Sequence, residues 1–139
     1  MADAGIGARG VVHRDQPHDS ARGHVTGAAR YIDDLPQVPG LLHLAFGLSR
    51  AAHARIADID LAAARAVPSV VAVLTAADIP GENNVGPIFH DDQLLATEEV
   101  HYVGQPIFLV AAETREAARR AAKLGVIGYE RLPVELTIA

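Results

Sequence analysis

Residues 100–125, VHYVGQPIFLVAAETREAARRAAKLG, hold two kinds of order in one stretch. Val100 to Val103 and Ile107 to Ala111 are apolar segments of strand length, rich in β-branched and aromatic residues. Gly104-Gln105-Pro106 interrupts them, and because proline cannot donate to a ladder, a bend or bulge belongs there. Thr114 then stands where a helix cap is favoured, ahead of Arg115 to Leu124, in which Ala117, Ala118, Ala121 and Leu124 share one face at helical period. Their small side chains permit close packing on a sheet, and Gly125 suits a helix stop. Strand, bend, strand and helix in so short a span set the fold class as α+β.

Upstream, Val70 to Thr75 is a compact β-branched run without alternation, which predicts a central strand covered on both faces. Arg55 to Leu61 reads as a strand, Asp60 as a cap, and Leu61 to Ala66 as a short helix ending before Pro68. Val25, Ala29 and Tyr31, then the run Leu41 to Leu48, are separated by Asp33-Asp34-Leu35-Pro36 and Pro39-Gly40, so two strands joined by a turn are expected. Pro80 to Asp92 is an excursion whose Gly, Pro and Asn favour turns. Val126 to Tyr129 and Val134 to Ile138 read as closing strands around Arg131-Leu132-Pro133. Met1 to Arg22 carries neither period and is expected as a flexible leader (1–22), with one domain over 23–139. No internal repeat is present, which excludes a solenoid.

Half of the 139 residues are apolar and 21% are charged, a composition that can offset the ordering of one cored domain. Lys and Arg number 12 against 17 Asp and Glu, a net charge of −5 with no block of like charges, which disfavours nucleic acid and anionic membranes as partners. No apolar stretch reaches the ~18 residues of a membrane span. Met1 to Val12 lacks the pattern of a signal peptide, and the cytoplasm is the expected compartment. The sequence contains no cysteine, which removes disulfides, thiolate zinc sites, iron–sulfur ligation and Cys nucleophiles from this chain.

Local constellations point to no chemistry by themselves. Gly5-Ile6-Gly7-Ala8-Arg9-Gly10 has the G-x-G-x-x-G spacing but neither the preceding strand nor the following helix that lets such a loop cradle a pyrophosphate. His90-Asp91-Asp92 is dense in donors, yet adjacent side chains diverge, so a solvated loop is expected. His43 and His101 sit in apolar runs as structural histidines. Asp33-Asp34 and Glu98-Glu99 are sequence neighbours, and acid–base work needs two groups facing one substrate. Ser20, Ser49 and Ser69 lie in no nucleophile elbow. Glu116 and Arg120 form a helical surface pair. No catalytic, cofactor-binding or metal-binding residue is assigned.

Several ordered motifs carry a family resemblance. Val25-Thr26-Gly27-Ala28-Ala29-Arg30-Tyr31-Ile32-Asp33-Asp34-Leu35-Pro36 resembles the opening of the molybdenum-cofactor subunit of the xanthine dehydrogenases. Ser49-Arg50-Ala51-Ala52-His53-Ala54-Arg55-Ile56, then Val70-Val71-Ala72-Val73-Leu74-Thr75-Ala76-Ala77-Asp78-Ile79-Pro80-Gly81, and then Tyr102-Val103-Gly104-Gln105-Pro106 resemble successive landmarks. Ala117-Ala118 through Tyr129-Glu130-Arg131-Leu132-Pro133 completes the series, from about Asp19 to Ile138. Aldehyde oxidases and carbon-monoxide dehydrogenases share parts of it, while Asp33-Asp34-Leu35-Pro36 and Ala77-Asp78-Ile79-Pro80-Gly81-Glu82-Asn83 are most similar to xanthine dehydrogenase.

The resemblance implies an α/β-hammerhead domain, expected as a mixed sheet with two helices packed on it, ahead of molybdopterin-binding domains. It implies a larger enzyme that oxidises hypoxanthine or xanthine to urate with water as oxygen source, passing electrons through 2Fe-2S clusters and FAD to NAD. The partners implied are the downstream molybdopterin-binding domains and an iron–sulfur/FAD subunit or domain. No position of this chain matches the family's catalytic glutamate, so the chain itself is expected to hold no cofactor and to be structural. Gly104 and Gln105 are the expected interdomain contacts, with Gln105 projecting from the bend. Gly125 and Gly128 fall where the family has a strand, which predicts weakened pairing there. The alternative from another class is a free-standing binding module using the Asn83 to Asp92 loop.

Overall fold

The computed structural model describes residues 15, 17–135 and 137, in two compact units, Met1–Val38 and Pro39–Ala139. The Gly5 to Gly10 motif and most of the expected leader lie outside the described residues. In the first unit, where a strand was expected at Val25 to Tyr31, the chain forms helix α1, Ala21–Thr26, which runs across the boundary expected after Arg22. Gly27 ends it at φ 71°, a left-handed conformation that glycine adopts without steric cost, and the Ala28 and Ala29 amides both donate to Gly23 O. Ile32–Asp34 is a single 3-10 turn in which Asp34 accepts from the Tyr31 amide at 3.0 Å. Local capping thus takes the place of strand pairing here.

The second unit contains β1 (His43–Leu48), β2 (Ala54–Asp60), α2 (Ala62–Arg65), β3 (Val70–Thr75), β4 (Glu99–Val100), β5 (Pro106–Ala112), α3 (Arg115–Ala122) and β6 (Val126–Arg131). The α+β class holds. The strands, however, do not make one mixed sheet: they divide into two three-stranded sheets, β1-β5-β3 and β4-β2-β6, antiparallel at every pairing. Helix α3 packs across β1 and β5, and α2 against β3 and α3. The Thr114 cap read from the sequence forms, its Oγ1 accepting from the Ala117 amide at 3.1 Å; ahead of α2 the cap position is Leu61, and Asp60, one residue earlier, accepts from the Ala62 amide at 2.9 Å.

The central strand is β5, not β3. Ile107, Phe108, Val110 and Ala112 are buried, whereas β3 is an edge strand whose Val73 is buried while Val71 is 56% exposed. An edge strand whose exposed side is also apolar has no polar alternation to betray it, which is why Val70 to Thr75 reads as doubly covered. Ala117, Ala118 and Ala121 are buried against the sheet, and Leu124 lies beyond the helix end, partly exposed.

Gly128 pairs with Asp58 inside a formed β6, and the register shift between Ile56 and Asp58 accommodates the local irregularity. The second closing strand does not form at Val134 and Glu135, which follow a proline, and Ile138 lies outside the described residues.

Candidate functional site

Two of the motif segments are bonded to each other. The Ser49 amide donates to Gln105 O at 2.8 Å and the Gly104 amide to Ser49 O at 2.9 Å, so the chain leaving β1 and the chain entering β5 form one corner. Ser49 is itself buried, its Oγ donating to Ala51 O at 2.9 Å. Gln105, expected to project, is turned inward and is 5% exposed. Its Oε1 accepts from the His101 amide at 2.7 Å, and its own amide donates to Tyr102 O at 3.3 Å. The turn is closed both by its backbone and by this side chain, and the bond to the His101 amide holds Gln105 facing in. Gly104 adopts φ 93° with open space where a side chain would start, and Tyr102 and Val103 are the exposed side chains of the turn.

Below this turn, three donor side chains converge. His53 immediately precedes β2, Glu99 lies in β4 opposite Arg55, and His101 follows just beyond the end of β4, its ring turned to the same side as the Glu99 carboxylate. His53 Nε2 stands 2.6 Å from Glu99 Oε1, and His101 Nδ1 3.8 Å from the same oxygen. His53 Nδ1 meets Pro133 O at 2.6 Å. The carbonyl and the carboxylate are both acceptors, so the pair favours the protonated imidazole. The Pro133 carbonyl first, and the Glu99 carboxylate second, hold its pKa above the usual histidine value of 6.5.

Sequence reasoning missed this trio because His53 and Glu99 are 46 positions apart. The only local signal was the alternate spacing of Glu99 and His101. The other candidates do not converge on a common target. Glu98 offers its backbone carbonyl to the Ile56 amide, while Glu99 turns to His53. His90 stands exposed, 3.7 Å from Glu82. Asn83, in the loop of the alternative reading, is spent on structure, with its side chain bonded to both the amide and the carbonyl of Leu95.

The outer face of the β1-β5-β3 sheet is apolar and is exposed along its edge strands β1 and β3. Phe46, Leu109 and Leu74 form one cross-strand row, and Leu44, Ala111 and Ala72 the next. Leu44 is 62% and Phe46 47% exposed, with Leu48 and Leu74 also exposed. The opposite face is covered by α3, whose approach the small residues Ala45 and Gly47 permit.

Residues 26–133 match the family model described as the aldehyde oxidase and xanthine dehydrogenase a/b hammerhead domain. The chain is 47% identical over 127 residues to xanthine dehydrogenase 1 of Arabidopsis thaliana, covering 91% of this chain and 9% of that protein. It is 46% identical over 123 residues to aldehyde oxidase 1 of Bos taurus, covering 87% and 9%. A solved Cu,Mo-CO dehydrogenase superposes with a TM-score of 0.79 at 35% identity, covering 88% of this chain and 16% of that one. The chain therefore belongs to the hammerhead-domain family of the xanthine dehydrogenase and aldehyde oxidase type of molybdenum hydroxylase. It spans only about a tenth of the length of the curated relatives it matches. Among the described residues, no helix is long and apolar enough to cross a membrane.

Proposed function

We propose that this chain is the docking domain of a xanthine dehydrogenase, and that the outer face of its β1-β5-β3 sheet is where the rest of that subunit packs. One observation carries the reading: the large apolar side chains Leu44, Phe46 and Leu48 of β1 and Leu74 of β3 stand exposed on either side of the half-buried Leu109, in a chain that matches only 9% of a relative's length. Contiguous apolar surface of this kind marks an interface, and burying what remains exposed of the half-buried Phe46 contributes on the order of 1 kcal/mol. The occupant is the molybdopterin-binding remainder of the same polypeptide. The turn at Tyr102 to Gln105 is a second contact, with Tyr102, Val103 and Gly104 touching the neighbour and Gln105 fixing the shape of the turn.

In this reading the whole enzyme oxidises hypoxanthine or xanthine with oxygen from water in the cytoplasm. Molybdopterin is held by the downstream domains, and the 2Fe-2S clusters and FAD by a partner subunit or domain, from which electrons reach NAD. This chain lacks the thiolates that iron–sulfur ligation requires, so it contributes framework to that chemistry. Xanthine dehydrogenase is preferred over aldehyde oxidase on Asp33-Asp34-Leu35-Pro36 and Ala77 to Asn83.

The test is to isolate the native polypeptide from its source with an antibody against this chain, and to measure its mass, its molybdenum content and its xanthine-dependent NAD reduction. A molybdenum-containing polypeptide several times larger than 14.6 kDa that turns over xanthine is the expected result. A free-standing native chain of 14.6 kDa overturns the docking role, and a large enzyme that oxidises aldehydes but not xanthine overturns the substrate assignment.

A further inference from the structure

We propose that His53, Glu99 and His101 form a binding site for one borderline divalent transition-metal ion, with zinc as the representative. One ligand atom from each residue lies within 4.8 Å of the others, although His53, just before β2, is 46 positions from Glu99 of β4 and farther still from His101 just after it. A tetrahedral zinc ion with bonds near 2.0–2.1 Å sets its ligand atoms about 3.3 Å apart. The two separations from Glu99 Oε1, 2.6 Å to His53 and 3.8 Å to His101, bracket that spacing. The His101 side chain is 64% exposed and has room to close on the ion. Two imidazoles and a carboxylate suit zinc, nickel or copper better than magnesium or calcium, which favour all-oxygen sites.

The surroundings of the trio suit the same purpose. His53 Nδ1–H donates to Pro133 O at 2.6 Å, which fixes the ring and aims Nε2 toward Glu99 Oε1. A backbone carbonyl on the far nitrogen is the usual outer support of a metal-ligating histidine. The arriving ion takes the place of the proton between Nε2 and Oε1. The fourth tetrahedral position is left to solvent, because all three ligands lie at a partly exposed surface. The consequence is mechanical. Strand β4 has only two residues, and the ion fastens it to the start of β2, directly beneath the turn that Gln105 closes.

The experiment uses the 139-residue chain without an affinity tag, stripped with EDTA and titrated with zinc chloride by calorimetry, with melting followed in parallel. Cobalt(II) serves as an optical probe of tetrahedral coordination. The expected result is one ion per chain, a visible cobalt spectrum, and a melting temperature that rises with zinc. His101→Ala and Glu99→Gln each weaken zinc binding by more than about tenfold and remove the melting shift, as loss of a ligand requires. His18→Ala and His90→Ala, which alter exposed histidines elsewhere, leave both unchanged. Circular dichroism confirms that the variants are folded. Absence of zinc binding by the wild-type chain, undiminished binding in both ligand variants, or loss of binding in His18→Ala or His90→Ala overturns the site.

Discussion

Gly47 of β1 and Phe108 of β5 face each other across the strand pair, and the phenyl ring lies where a side chain on the glycine would begin. Gly125, beyond α3, meets the same Cε1–Cζ edge of that ring, so two glycines make room for Phe108, which is 2% exposed. Gly47→Ala and Gly125→Ala are therefore expected to destabilise the chain, each by about 1–3 kcal/mol, the usual cost of overpacking a tight core. Urea unfolding checks this, and the double variant Gly47→Ala/Phe108→Leu recovers part of the loss if the ring is the obstacle.

Gln105→Ala removes the acceptor of the His101 amide and the closure of the turn. A loss of about 1–2 kcal/mol in the isolated chain is expected, the scale of a hydrogen bond whose partner is left unmade. Val103→Ser, at an exposed position of the same turn, stays within about ±0.5 kcal/mol. Urea unfolding of the two variants side by side separates framework from surface.

The pairing of His53 with Pro133 and Glu99 gives a signed pH dependence in metal-free protein. Its folded pKa lies above the unfolded value, so its contribution is full below about 6.5 and is lost as pH rises through the folded pKa. Asp78 has the opposite sense. The Thr75 amide at 2.7 Å, and then the Thr75 hydroxyl at 3.0 Å, lower its pKa below 3.8, so its contribution is present above that value and is lost on acidification. NMR titration in EDTA is expected to place His53 above 6.5, with Glu99→Gln bringing it down.

Ser69 holds φ 70°, the left-handed region, while its carbonyl accepts from the Glu113 amide at 2.9 Å. A residue with a side chain is strained there by about 1–2 kcal/mol. Ser69→Gly is expected to keep the turn and raise stability by up to about 1 kcal/mol, after the entropy cost of glycine. Thermal melting of the variant beside wild type reads the sign.

What the sequence revealed follows the range of the forces involved. Helix α3 was legible because its cap, its alanine face and its length all lie within one short stretch. The same holds for Asp60 ahead of α2 and for the bend at Gly104 to Pro106. The order of the strands was not legible, because Val70 to Thr75 and Ile107 to Ala111 are equally apolar and only pairing decides which one is central. Gly125 reads as a helix stop, yet its role is steric and lies with Phe108, which the linear sequence cannot display. The corner joining Ser49 to Gly104 and Gln105, and the meeting of His53 with Glu99, are long-range contacts of the same kind. Val25 to Tyr31 misled because the glycine in its middle ends a helix as readily as it interrupts a strand.

The exposed row through Phe46, Leu109 and Leu74 carries the central claim, and Phe46→Asp tests it most directly, made both in this chain alone and in the complete subunit. In the isolated chain, where Phe46 is half exposed, the melting behaviour is expected to stay within about ±0.5 kcal/mol of wild type. In the complete subunit the same change places a carboxylate in a buried apolar interface, and the account predicts loss of the assembled, xanthine-oxidising enzyme. A complete subunit carrying Phe46→Asp that assembles and turns over like wild type would contradict it.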